Sequence, residues 1–297
     1  MNALGRAGGA ALTLARRSAA GRDVAIYQAC YLEEHFGTAD PAFIPLDIRR
    51  EPNQLWYETG LFLRHYHLGL HRRSAYSGVV SPKFGLKTRL PGQAFIDFIE
   101  KNPGHDVYFI NPFPINAYYA FNVWDHAEIR HAGILPLAQE LFHRAGTGWD
   151  LYAQGRNAHD TLLYCNYWVG NAAFWERFID LILRLVEAVR GLPERWKERL
   201  HALDPKYPVP TPFLPFVFER VFSTLLLHDR SIKALAFPHS RRYILESGAG
   251  SPDEPLIGEA LIDIIDEIDR RGEYNARDRE IFRAARTLKM RLIGRVR

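Results

Sequence analysis

Cysteine is nearly missing from this chain: Cys30 and Cys165 are the two in 297 residues. Two thiols cannot build the disulfide framework of a small secreted domain, and they point to a reducing compartment. No apolar run reaches the length of about 18 residues that a membrane-spanning helix needs. The chain also lacks a Rossmann or P-loop glycine pattern, a nucleophile elbow and paired cysteines for zinc. Its 12 histidines are scattered without a recognisable metal spacing. The formal charge of +4 and pI near 9.0 permit an anionic partner without identifying one. That charge gathers at the C-terminus with no base-reading motif nearby, so no nucleic-acid partner is expected.

What is present describes a folded protein. With 47% hydrophobic and 24% charged residues, the chain can bury a sizeable core in one large α/β domain or two small ones. Residues 1–22 hold four arginines and no acid. They read as a targeting-like or disordered lead, the apolar stretch 10–15 being short for a signal sequence. From Asp23 the pattern alternates. Strands are expected at 24–29, 43–46, 75–80, 107–110, 162–169 and 232–237, and helices at 54–70, 93–100, 172–189 and 216–228. The five prolines of 204–215 predict an extended loop. Strands alternating with helices imply an α/β fold with a mostly parallel sheet flanked by helices. Beyond residue 250 two helices, 256–270 and 277–296, predict a C-terminal helical extension over 251–297. The last places Ile281, Ala285, Leu288, Leu292 and Val296 on one face, with eight cations from Arg277 to Arg297 against Asp278 and Glu280. That pattern fits either a helix docked on its own domain or one lying on an anionic membrane surface.

Three motifs stand out: Tyr-Ser-Gly-Val-Val-Ser-Pro-Lys-Phe at 76–84, Asp-Val-Tyr-Phe-Ile-Asn-Pro-Phe-Pro at 106–114, and Tyr-Cys-Asn-Tyr-Trp-Val-Gly-Asn at 164–171. Each is a β-rich run that breaks at Pro, Gly or Asn as polar side chains appear, the way strand ends feed an active site. Their order resembles a group of bacterial glycosyltransferases of the GT-A type, found in capsule and O-antigen assembly. The resemblance covers most of 24–240 and rests on motif order rather than on one signature.

The resemblance implies a GT-A-like domain over 23–250 that transfers a sugar from a nucleotide-sugar donor to a glycan or lipid-linked glycan acceptor. It implies a cytoplasmic enzyme, peripheral at the inner face of the cell membrane. Tyr27, Lys83, Lys87, Asp106 and Asn111 are expected on the donor, with Lys83, Lys87 and Arg89 able to neutralise the departing diphosphate. The Asp-x-Asp motif that often holds Mg²⁺ or Mn²⁺ in such enzymes is absent, and Asn111-Pro112-Phe113-Pro114 stands at the expected place. Asp106 or Asp125 would carry a metal if one is used. The i, i+3 spacing puts Asp125 and Glu128 on one helix face beside aromatic residues, as candidate general bases on an acceptor hydroxyl. Trp124, Asn166 and Trp168 are expected on the acceptor. In a strand, Asn166 and Trp168 would alternate with Cys165 and Tyr167, one pair facing the cleft. Glu219-Arg220 resembles a helix near the family's active site, or forms an internal contact. The alternative from another class is a non-catalytic module that binds nucleotide sugar or glycan.

Overall fold

A computed structural model describes residues 23–50, 56–204, 211–247 and 254–292. The expected N-terminal lead, the start of the 54–70 helix, residues 205–210 of the proline-rich segment and residues 293–297 lie outside them. The described chain forms two compact units. One takes the residues up to Ile110 with Cys165–Val186 and Arg230–Phe237, and the other takes Asn111–Tyr164, Glu187–Asp229 and Pro238 onward.

The first unit is built on a six-stranded sheet. Its strands are β1 (Val24–Cys30), β2 (Ile44–Asp47), β3 (Tyr76–Val80), β4 (Val107–Phe109), β5 (Trp168–Gly170) and β6 (Ala234–Ala236). They lie in the order β2-β1-β3-β5-β4-β6. Every neighbouring pair is parallel except the two that involve β5. β1 is buried along its whole length, as an apolar strand covered on both faces must be. The expected α/β class and mostly parallel sheet are therefore present.

One strand differs from expectation. Residues 162–169 do not extend continuously: the chain turns through Cys165 and Asn166, at φ 64° and 51°, and pairing starts only at Trp168. Gly78 of β3 is the local reason that β5 fits. A Cβ there would stand 2.5 Å from the Trp168 carbonyl oxygen and 2.8 Å from a Val169 methyl. Trp168 then fills the core between Phe62 (ring centroids 5.1 Å), Trp175 (4.4 Å) and Phe178 (4.9 Å). Below this cluster His65, fully buried on the helix Tyr57–His67, stacks on Trp175 at 4.5 Å. Its Nε2 lies 2.8 Å from Ser77 Oγ.

The second unit is helical. Asn122 caps the helix Val123–Arg130, its Oδ1 accepting from the amides of Trp124 (3.0 Å) and Asp125 (2.9 Å). The fully buried Arg156 forks onto Asp269 at 3.0 and 2.9 Å and donates to the carbonyls of Ala117, Ala120 and Phe121. It thereby ties the helix Glu254–Arg271 to the loop 117–121. The expected single helix 216–228 is two, Phe213–Glu219 and Val221–His228, interrupted at Arg220.

The last helix, Ala276–Leu292, starts with a reciprocal cap. Asn275 Oδ1 accepts from the Asp278 amide, and Asp278 Oδ2 accepts from the Asn275 amide. It buries Asp278, Phe282, Ala285 and Lys289. The buried face is thus offset by one residue from the expected Ile281–Leu288 stripe, because Phe282 docks edge-on against Phe121 at 5.4 Å. Arg156 lies over the same Phe282 ring at 4.4 Å. Val296 and the last two arginines fall outside the described residues.

Two outcomes follow from this packing. Phe282→Ala should lower unfolding free energy by about 3–5 kcal/mol. A chemical-denaturation curve unchanged from wild type would mean that the helix does not dock. Burial, and secondarily His71, holds the His65 pKa down to about 3, whereas an unfolded histidine titrates near 6.5. The unfolded chain binds the extra proton, so this contribution is fully present above about pH 6.5 and is lost as pH falls towards 3. His65→Gln should flatten stability against pH in that window by up to about 1.4 kcal/mol per pH unit.

Candidate functional site

β1 and β3 lie side by side, yet the chain leaves β1 for β2 on one flank and then crosses back to β3 on the other. Such a reversal opens a crevice at the carboxyl ends of parallel strands, where ligands of open α/β sheets bind. Tyr31 follows β1 at this edge and Ser81 follows β3. Because β5 runs the other way, the residues that precede it, Cys165 to Tyr167, arrive at the same edge. The first and third sequence motifs therefore meet there.

Their side chains are interlocked. Ser81 Oγ lies 2.9 Å from Tyr167 Oη. Lys87 Nζ approaches Cys165 Sγ at 3.0 Å, and Asn166 Nδ2 donates to Glu58 Oε2 at 2.9 Å. The buried Gln28 carboxamide spans two loops, donating to the Pro82 carbonyl at 3.3 Å and accepting from the Asp40 amide at 2.8 Å.

Two features mark this edge as more than a strand terminus. Cys165 and Asn166 occupy the left-handed region consecutively, a conformation that costs a non-glycine residue about 1–2 kcal/mol and that clusters at functional sites. Asn166 is 4% exposed, and its Oδ1 has no hydrogen-bond partner. A desolvated acceptor is costly unless something donates to it. The phenols of Tyr31 and Tyr167 are both pushed above their usual range, mainly by burial, with Glu58 adding for Tyr31 and Cys165 for Tyr167. Both stay protonated at neutral pH. Chemically, the edge offers phenol hydroxyls, a serine hydroxyl, a carboxylate, an unsatisfied amide oxygen and the exposed Lys83 ammonium. That set suits a ligand carrying hydroxyls and phosphate.

The expected site residues separate into distinct environments. Lys83, Lys87 and Asn166 lie at this edge. Tyr27 is fully buried on β1, edge-on to His65 at 5.0 Å, and Trp168 is core. Asp106 stands at the opposite, amino edge of β4. There its Oδ1 accepts from Asn171 Nδ2 (3.0 Å) and its Oδ2 from the Lys233 amide (2.9 Å), so it clamps three strand ends. Asn111 opens the second unit, its Oδ1 accepting from the Phe113 amide at 3.1 Å and its Nδ2 buried without a partner.

In the second unit Trp124 is core, its Nε1 donating to Gln154 Oε1 (3.0 Å) and Thr224 Oγ1 (3.1 Å). The Glu128 carboxylate accepts from the amides of Gly133 (2.8 Å) and Leu135 (2.7 Å), which caps the helix Ile134–Arg144. Asp125 is part-exposed, with Arg286 at 4.0 Å. Burial raises its carboxyl pKa against the lowering pull of Arg286. Asp106 thus accepts one hydrogen bond on each carboxylate oxygen, and Asp125 has a guanidinium 4.0 Å away. Among the described residues, no group of three His, Cys, Asp or Glu side chains converges on a metal-sized site.

Tyr31, Glu58, Ser81, Cys165 and Tyr167 complete the edge beyond the residues expected there. Ser81, Cys165 and Tyr167 lie inside the motifs and were within reach of a sequence reading. Glu58 and Tyr31 carry no local signal, since only the topology brings Glu58 to Asn166 and Tyr31 to the same edge. Comparison with protein-family models, curated proteins and solved structures gives no match. Among the described residues, no helix is long and apolar enough to cross a membrane.

Asp106→Ala should destabilise the chain by about 1–3 kcal/mol, since it strands two donors at strand ends. Ligand affinity at the carboxyl edge should stay unchanged. Thermal melts combined with titration calorimetry separate the two effects, and weakened binding without lost stability would return Asp106 to the ligand.

Proposed function

We propose that this chain is a nucleotide-sugar-dependent glycosyltransferase of GT-A-like fold, with its donor at the carboxyl edge of β1 and β3. The acceptor class is a glycan or lipid-linked glycan of surface polysaccharide assembly. The observation that carries the reading is the polar, strained and incompletely satisfied edge at the chain's topological reversal. Glu58 and the Asn166 Oδ1 suit ribose or sugar hydroxyls and base amide groups. Lys83, and Lys87 once it swings from Cys165, supply positive charge to a departing diphosphate. Charge placed where charge develops lowers the barrier to sugar transfer. No step is routed through a divalent cation.

The test is a panel of nucleoside diphosphate sugars, read first by thermal shift and then by transfer to glycan acceptors. A ligand that binds only the native state must raise its melting temperature. At least one donor should do so, and Lys83→Ala should weaken it by about 10- to 100-fold, the worth of a hydrogen bond to a charged group. Donor binding with no transfer to any acceptor favours the non-catalytic module. Absence of any shift across the panel removes the nucleotide-sugar reading.

A further inference from the structure

We infer that Cys165 and Lys87 form an oxidant-modified pair, in which a peroxide joins the cysteine sulfur to the lysine nitrogen. The modification does not rest on the sugar-transfer reading; its effect on the donor does. Lys87 Nζ donates to Cys165 Sγ at 3.0 Å. That is the short end of the separation of about 3–3.5 Å at which bound reactants are poised to react. Both carriers are pinned. Lys87 stands on the helix Phe84–Thr88, and Phe84 is fully buried, its ring centroid 5.0 Å from Phe43 and 5.1 Å from Tyr167. Tyr167 follows Cys165 by two residues and its hydroxyl lies 2.9 Å from Ser81 Oγ, just ahead of that helix. Ring packing and a hydrogen bond thus hold the lysine's helix against the cysteine's turn.

Exposure selects both the oxidant and the group that resolves it. Cys165 is 6% exposed, so it admits a molecule of peroxide size but no thiol of another protein. An oxidised sulfur must then be resolved by a group already in contact, the Lys87 amine. An ammonium beside a thiol also favours the thiolate, the form that oxidants attack. The same turn holds a second pointer. Asn166 is 4% exposed and its Oδ1 has no hydrogen-bond partner. A sulfenic hydroxyl on the adjacent residue is the kind of donor this oxygen lacks. Cys30 is the internal contrast: it is fully buried, its thiol donates to the Gln28 carbonyl at 3.6 Å, and burial raises it above the ordinary range.

The Cys165 thiolate attacks one oxygen of hydrogen peroxide and the O–O bond breaks, leaving a sulfenic acid on the sulfur. The departing hydroxide takes a proton from the Lys87 ammonium and leaves as water, which frees the amine. That amine attacks the sulfur. An N–S bond forms, the S–O bond breaks, and the hydroxyl leaves with the amine's proton as a second water. The sulfur is oxidised, one peroxide is reduced, and the chain loses two hydrogens relative to thiol and amine. The joined nitrogen carries no charge, so the edge loses the Lys87 cation until a thiol reductant cleaves the bond.

The experiment treats the full chain with hydrogen peroxide and maps its peptides by mass spectrometry, with dimedone in a parallel sample to trap sulfenic acid. The Lys87 and Cys165 peptides should appear joined, two hydrogens lighter than their sum, and should separate with dithiothreitol. The join should form equally in Cys30→Ala. Lys87→Arg keeps a cation but cannot close the bond, so the join should vanish and dimedone labelling of Cys165 should rise severalfold. A Cys30–Cys165 disulfide, sulfinic acid at Cys165 without the join, or an unmodified Cys165 would overturn the assignment. Joined and reduced wild type are then compared by thermal shift with nucleoside diphosphate sugars, and the joined form should bind about tenfold more weakly. Equal donor affinity in the two forms would overturn the effect on the donor. Donor binding by neither form, with the join present, leaves the modification standing and removes the nucleotide-sugar reading alone.

Discussion

The sheet is one sheet because of three residues. β2, β1 and β3 form one ladder and β4 and β6 another, and only Trp168–Gly170 connects them. The link is tight: Val169 faces Gly78 on one side and Tyr108 on the other. It depends on a glycine that lets two backbones approach and on a left-handed turn that aims the chain into the gap. Trp168 then anchors the bridge among Phe62, Phe174, Trp175 and Phe178. A side chain at Gly78 would strike the Trp168 carbonyl and part the two ladders.

The same turn links stability to chemistry. Backbone strain at Cys165 and Asn166 is tolerated because core packing just beyond it over-determines the path. What that path delivers at the carboxyl edge is an amide whose nitrogen is bonded and whose oxygen is not. At the other edge, Asp106 accepts from Asn171 and Lys233. The two ends of the sheet thus differ in which of these donors and acceptors are already spent.

Much of the architecture was legible in the sequence because period and punctuation were strong. The apolar run of β1, the Pro-Gly break after the helix Gly92–Lys101 and the amphipathic pattern of Ala172–Arg190 each have a local cause. The strand at 162–169 was not legible, since Leu162, Leu163 and Tyr164 are as apolar as strand residues but turn before pairing. The last helix was legible in extent and not in face: Phe282 lies just beside the aliphatic stripe, and its docking on Phe121 sets the rotation. For the candidate site, motif order led to Lys83, Lys87 and Asn166, which the fold brings to one edge of the sheet. Glu128 and Trp124 were chosen on local pattern alone, and a carboxylate beside aromatics reads alike whether it caps a helix or meets a sugar. Glu58 was hidden because its importance comes from a distant partner, Asn166.

The position of β5 in the chain has a further consequence, for synthesis. Residues 111–164 are made between β4 and β5, and β6 follows only after residue 230. Until Trp168–Gly170 leaves the ribosome, β3 and β4 each carry an open inner edge whose partner does not yet exist. Such edges are templates for pairing with other chains, and closing them late and over long separations is slow. The nascent protein therefore passes through a long interval with a three-stranded half-sheet and a lone β4, and its most aggregation-prone moment precedes the arrival of one short strand.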